Sequence, residues 1–332
     1  MKTLWKRCTL QARTGLLLFL LALPLSVLAQ EPVLADLWPA VAGHTSADSV
    51  RAIQNNTAPP DRLTPRLVLP PLSEEEEGTI RRVELANADK VVALTFDLCE
   101  LVVSTSGYDA GIVDFLREKQ LPATFFVGGK WMRTHAERTM QLMLDPKFEL
   151  GNHAWTHGNL GIMAEPARRD QILWTQAQYE LLRETLLRRI QTAGFDAPAI
   201  PEAITLCRLP YGRASDQALI WLAGAGLQVI QWDVVAESAT DNAVPGTEKA
   251  VVNAVRPGSI LLFHANLVPK GSAQLLRRVV AALTAQGYRF VTVTTLLSLG
   301  TPQRTRDGYF LKPGDNRSLD LRYGVDGTGR KR

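Results

Sequence analysis

The chain has 332 residues, 46% hydrophobic and 21% charged, which excludes a chain disordered throughout and supplies apolar material for a sizeable core. Three cysteines exclude a disulfide scaffold. Of the formal charge of +4, all comes from Lys2, Lys6, Arg7 and Arg13 in an acid-free N-terminal segment; beyond it 33 basic side chains face 33 acidic ones, so nothing calls for nucleic acid as a partner.

Residues 1–29 read as a secretory signal peptide. The basic start precedes an apolar stretch of 14 residues, Gly15 to Leu28, and Val27-Leu28-Ala29 offers small residues for cleavage. That stretch falls short of the ~20 residues a membrane-spanning helix needs. Cys8 precedes the apolar run, which argues against a lipid anchor. The expected location is secreted or periplasmic, with no stable membrane anchor.

Residues 30–78 are expected to form an irregular extension, because Pro59-Pro60, Pro65, Pro70-Pro71 and the acidic run Glu74–Glu77 interrupt any period. From 79 to 298 short apolar runs alternate with helical stretches. The expected strands are Val91–Phe96, Ala123–Val127, Phe148–Asn152, Ile204–Arg208, Gln228–Trp232, Ser259–His264 and Arg289–Val293. Helices are expected at 109–119, 132–144, 167–193, 215–224, 247–255 and 273–286. In the longest, Ile172, Leu173, Tyr179, Leu182, Leu186 and Ile190 recur near a 3.6 period. Residues 299–332, with six glycines and a basic end, are expected to be a loosely held tail. Seven strands alternating with helices predict one α/β domain with a parallel sheet, open or closed into a barrel.

Parallel α/β folds place their sites at the carboxyl ends of strands. Five of the seven expected strands stop at an ionisable residue: Asp97, His153, Arg208, Asp233 and His264. His153-Ala-Trp-Thr-His157 sets two imidazoles four apart, on one face if the turn is helical, and two neutral imidazoles suit a divalent ion such as Zn²⁺. The spacing alone is a weak signal, and its position after a strand strengthens it. Asp97 is either a base or ligand on a rigid strand or the cap of a turn. Arg208 in Arg208-Leu-Pro-Tyr-Gly212 could hold a strand-end carboxylate, or form a structural ion pair above a turn that aims a backbone N–H at an oxyanion. His264 ends an apolar strand and is suited to protonating a leaving group, or is a satisfied core residue. His44 and His135 follow no strand and are expected at the surface.

In this order the pieces resemble the polysaccharide deacetylase family with the NodB homology domain, carbohydrate esterase family 4. Thr95-Phe96-Asp97 resembles its first motif, His153-Ala-Trp-Thr-His157 its second, Arg208-Leu-Pro-Tyr-Gly212 its third and Leu262-Phe263-His264 its fifth. The resemblance covers about 90–298, within a domain placed at 79–298. It implies a distorted (β/α) barrel with about seven parallel strands, and hydrolysis of N-acetyl groups on a glycan such as peptidoglycan or a chitin-like polymer. It also implies a divalent cofactor, Zn²⁺ by its ligands, held by His153 and His157. Asp97 would be the general base, Arg208 its holder, the Tyr211 N–H an oxyanion donor and His264 the acid. Two positions depart from the family pattern. Where a second Asp follows the first, this chain has Leu98, which cannot ligate. Cys99 or Glu100 would then be the third ligand, unless Cys99 and Cys207 form a disulfide. The acid of the fourth motif aligns near Ser238-Ala239, so Asp233 substitutes or His264 lacks a carboxylate partner. Two alternatives keep the same residues: an O-acetyl esterase or small-amide hydrolase, and a glycan-binding module disabled by the motif losses.

Overall fold

The computed structural model describes residues 37–38, 57–238 and 241–328. Residues 1–29, expected to be a signal peptide, His44, and Ala239 of the degraded fourth motif lie outside the described residues.

Ten strands build one curled sheet: β1 (Thr79–Leu85), β2 (Val91–Leu98), β3 (Ala123–Val127), β4 (Phe148–Asn152), β5 (Leu206–Cys207), β6 (Gln228–Ile230), β7 (Val234–Val235), β8 (Ile260–His264), β9 (Arg289–Val291) and β10 (Gly300–Thr305). Their order is β10-β1-β6-β5-β4-β3-β2-β8-β7, with β9 also on β2. Every pairing is parallel except β1 with β10. An isolated bridge from Arg82 to Ser259 ties β1 to the start of β8 and curls the sheet toward closure. This is the distorted (β/α) barrel the resemblance implies. All seven expected strands occur; Ile204–Arg208 shortens to two residues, and β1, β7 and β10 are additional.

Strand alternation decides what faces the mouth. All eight residues of β2 are buried, as both faces of a parallel strand are covered. Val92, Leu94, Phe96 and Leu98 point to the core under the helices, whereas Val91 and Ala93 pack in the barrel interior. The period of two therefore puts Asp97 on the interior side. In β8, Leu261 and Phe263 join the outer core and Ile260 and Leu262 the interior, so His264 also turns inward. Asp97 and His264 are register partners across the neighbouring strands. The long helix Ala167–Thr192 covers the outer face through Tyr179, Leu182, Leu186 and Ile190, as its 3.6 period requires.

Three expectations are corrected. The stretch 132–144 is two helices, Gly129–Thr134 and Ala136–Leu144, broken at His135. His135 is not a surface residue: it is buried, stacks on Trp131 and places Nε2 3.1 Å from the Ser106 carbonyl. The tail is not loose either. It supplies β10, which pairs along the whole of β1, and the helix Asn316–Tyr323, which returns over the mouth. A polar, glycine-bearing composition hid an edge strand whose affinity for β1 is carried by main-chain hydrogen bonds rather than by apolar side chains. The extension at 57–78 is irregular apart from one 3₁₀ turn, Glu74–Glu76. It is pinned by Arg62 on Glu180 and Glu184, and by the Leu72 N–H on the Ala223 carbonyl.

Candidate active site at the barrel mouth

Asp97 is a buried carboxylate, with a side chain only 5% exposed. Arg208, fully buried, donates from Nη1 to Asp97 Oδ1 at 2.9 Å and spends Nε and Nη2 on the carbonyls of Ile230 and Gln231. Its guanidinium also lies 4.0 Å from the centre of the Phe126 ring. That ring has room because residue 151 is glycine: a Cβ there would meet Phe126 at 2.4 Å. Burial by itself opposes ionisation of Asp97. The charges of His153 and then Arg208 outweigh it and hold the carboxyl well below its ordinary range. At neutral pH Asp97 is an anion available to accept a proton.

The two imidazoles are brought together by a loop, not by the expected helical turn. Ala154 and His157 both adopt positive φ (64° and 55°), and the rings meet edge to face with centres 4.8 Å apart. His153 Nδ1 sits 2.9 Å from the Arg208 carbonyl, which can only accept, so that nitrogen carries the hydrogen. Nε2 is left buried without a hydrogen-bond partner, 3.2 Å from Asp97 Oδ2. That short approach of a buried ring nitrogen to a carboxylate favours a cation between them, a proton or a metal ion. His157 Nδ1 is likewise buried and unpartnered. Burial, reinforced by His153, holds His157 well below the ordinary imidazole range and so neutral, the form that ligates.

Cys99 completes the group: its sulfur and the imidazole nitrogens of His153 and His157 lie within 4.8 Å of one another. Burial, then the charges of Asp97 and Glu100, push its thiol far up, so only a nearby cation would draw off the proton. Two orphaned nitrogens and a thiol converging beside a carboxylate fit a divalent ion of zinc type. Glu100, the alternative ligand, is committed elsewhere. It accepts from the Ser106 N–H (3.1 Å) and Thr134 Oγ1 (3.0 Å) and pairs with buried Lys130 at 3.3 Å. Lys130 in turn donates to the carbonyls of Leu101 and Ser104, tying down the loop that follows the ligand. The disulfide is also corrected, since Cys99 and Cys207 are both free, buried thiols.

His264 does have a carboxylate partner, and it is not Asp233. That residue accepts instead from Ser259 Oγ and the Ile260 N–H, inside the sheet. Sequence reasoning missed Glu237, which follows the two-residue strand β7. Its Oε2 lies 2.5 Å from His264 Nδ1, while Oε1 accepts from the His264 N–H and from Ser272 Oγ. The signal was present one position before the aligned Ser238. Burial pulls the imidazole down, but the charge and hydrogen bond of Glu237, with Asp97 behind them, raise His264 above its ordinary 6.5. The protonated ring is thereby favoured, with Nε2 free to face the cleft. Tyr211 sits in a left-handed turn (φ 60°, ψ 11°) that sets the direction of its N–H, and its ring packs on His157. Asp97, Cys99, His157, Tyr211 and His264 line a cavity of about 570 Å³, of a size that holds a small ligand.

A parallel barrel whose adjacent strand ends carry a buried carboxylate and a carboxylate-held imidazole holds the pair of groups that acid–base hydrolysis uses. The family model described as "Polysaccharide deacetylase" matches residues 84–230. A chitooligosaccharide deacetylase of Sinorhizobium fredii is 31% identical over 189 residues, covering 53% of this chain and 80% of that protein. The peptidoglycan-N-acetylglucosamine deacetylase PgdA of Listeria monocytogenes is 29% identical over 65% of this chain, which spans only 41% of its length. Among solved structures, a mutant of the peptidoglycan deacetylase PdaC from Bacillus subtilis superposes with a TM-score of 0.51 at 27% identity, over 64% of this chain and 91% of that one. The Bc1960 peptidoglycan N-acetylglucosamine deacetylase shares the fold at 24% identity, with a TM-score of 0.53 over 69% of this chain and 97% of that one. The chain belongs to the polysaccharide deacetylase family, and it is an enzyme, a hydrolase of that family.

Proposed function

We propose that the protein is an exported, metal-dependent hydrolase that removes N-acetyl groups from an N-acetylglucosamine-containing glycan, peptidoglycan or chitin-like. The observation that carries this reading is the pairing of Asp97 and His264 on adjacent strands, each held by its own buried partner, beside the Cys99, His153 and His157 cluster. The substrate class rests on relatives that are named for chitooligosaccharides and for peptidoglycan. Export rests on the basic and apolar pattern of residues 1–29. Among the described residues no helix is long and apolar enough to cross a membrane.

His153, His157 and Cys99 would hold a divalent ion, which when bound polarises the acetyl carbonyl and acidifies a water. Asp97, kept anionic by Arg208, accepts the proton of the attacking water. The Arg208 side chain orients that carboxylate while its carbonyl orients His153, so one residue sets the direction of base and ligand together. The Tyr211 N–H would donate to the oxygen on which negative charge develops. His264, protonated and steadied by Glu237, delivers a proton to the amide nitrogen as the C–N bond breaks, releasing acetate and a free sugar amine.

Acetate release from N-acetylglucosamine oligomers, measured before and after chelation and on re-addition of Zn²⁺, tests the reading. We expect acetate and a free amine in equal amounts, lost on chelation and restored by metal. Acetate from acetylated xylan alone, or none with a stoichiometric ion bound, would overturn it.

A further inference from the structure

The C-terminal segment 306–328 is fastened to Tyr211 of the third motif and to residues beside the second and third motifs and on the sheet. Arg81 donates to the Tyr309 carbonyl at 2.8 Å with its guanidinium over the Tyr309 ring, and Trp232 Nε1 donates to the Phe310 carbonyl at 2.9 Å. Arg213, one residue past the third motif, grips Asp320 with two nitrogens, and Asn159, two past His157, donates to the same carboxylate at 2.8 Å. The Asn159 N–H continues to the Val325 carbonyl, and Tyr323 stacks parallel to Tyr211. At Gly327 the chain presses on Tyr211 so closely that a Cβ would fall 1.6 Å from its hydroxyl.

This strap separates two cavities. The catalytic one, about 570 Å³, is walled on the strap side by Phe310, Leu319, Asp320 and Tyr323. A second, of about 740 Å³, is bounded by Leu321, Gly324, Val325 and Asp326 on the strap's other side. Neighbouring residues elsewhere divide in the same way: Leu101, His157 and Asn159 line the first, Val102, Thr156 and Gly158 the second. The cavities thus share one wall, and the strap is its upper part. The strap thus stands between the first cavity and the second.

We infer that the strap is a specificity-determining partition that favours the terminal N-acetylated sugars of a glycan, in oligomers and at the chain ends of a polymer alike, over its internal units. This rests on the deacetylase reading. Apolar and aromatic faces on the strap (Leu319, Phe310, Tyr323) offer stacking surface for a sugar ring, while the Arg213–Asp320 pair closes the path a further unit would take.

The test compares kcat/KM for the N-acetylglucosamine dimer through hexamer and for a soluble chitin-like polymer, together with mass-spectrometric mapping of the units deacetylated in the pentamer. The unaltered protein, D320A/Y323A and a chain ending after Asp307 are compared. The double variant keeps the Arg81 and Trp232 anchors, so it reports even where the shortened chain does not fold. We expect the unaltered protein to favour terminal units, and the double variant to raise the polymer-to-dimer ratio about tenfold and to modify internal units. Internal modification by the unaltered protein equal to or above terminal, or an unchanged ratio in the double variant, would overturn the partition while leaving the deacetylase reading standing. No acetate from any of these substrates would instead sink that reading and the inference with it.

Discussion

The two sides of the barrel mouth are built differently. On the side of β2, β4 and β5, Asp97, His153 and Arg208 are all but sealed, and each is held by main chain or by another member of the group. On the side of β7 and β8, His264 is 25% exposed and depends on Glu237, which leaves a two-residue strand on a loop. The first side needs its charges fixed before substrate arrives, since a buried anion survives only with its cation in place. On the proposed mechanism the second hands a proton to a substrate atom, and it is the side that opens to the cleft. Rigidity and access are divided between neighbouring parts of the rim.

Replacing Arg208 with Ala is the largest disturbance to the sealed side. Asp97 would be left buried without its cation, and we expect a loss of about 3–5 kcal/mol in unfolding free energy by denaturant titration. A change below 1 kcal/mol would mean the pair is far better solvated than its burial shows. Asp97→Asn removes the base but no ligand atom of the cluster. We expect turnover to fall by roughly 10²–10⁴-fold while metal analysis finds the ion retained, and full activity would dismiss Asp97 from the chemistry. Cys99→Ser sharpens the ligand assignment. A hard, weakly acidic hydroxyl in place of the thiol should weaken Zn²⁺ binding by about 10–100-fold in a competitive chelator titration, whereas Glu100→Gln should leave it nearly unchanged.

Glu237→Gln probes the open side and has the smallest expected effect. Because Glu237 raises His264, the acid form persists above the ordinary imidazole value, and turnover should decline only as pH rises through that raised value. Without the carboxylate charge the basic limb moves to lower pH, with a rate reduction of about tenfold at neutral pH. A basic limb that stays in place would assign the proton to a different group.

The residues after Asp97 show where sequence reading runs out. Cys99 and Glu100 are adjacent in sequence, and both were open as ligands. The fold sends the thiol to the imidazoles and the carboxylate to Lys130, a partner 30 residues away that carries no motif. Glu237 was overlooked for the same reason: it stands at no apolar strand end of visible length. His135, expected outside, is enclosed because two helices meet at it.

The amino-acid sequence by itself determined the alternating strands and helices, the inward face of Asp97 and His264, and the order of the motifs, because periods of 2 and 3.6 and apolar runs are local properties of the chain. The tertiary structure decided which carboxylate steadies the acid, which side chain joins the imidazoles, and that residues 299–328 form an edge strand and a wall of the cleft. Those are contacts between segments far apart in sequence, and their free energy comes from burial and hydrogen-bond geometry that no single segment contains.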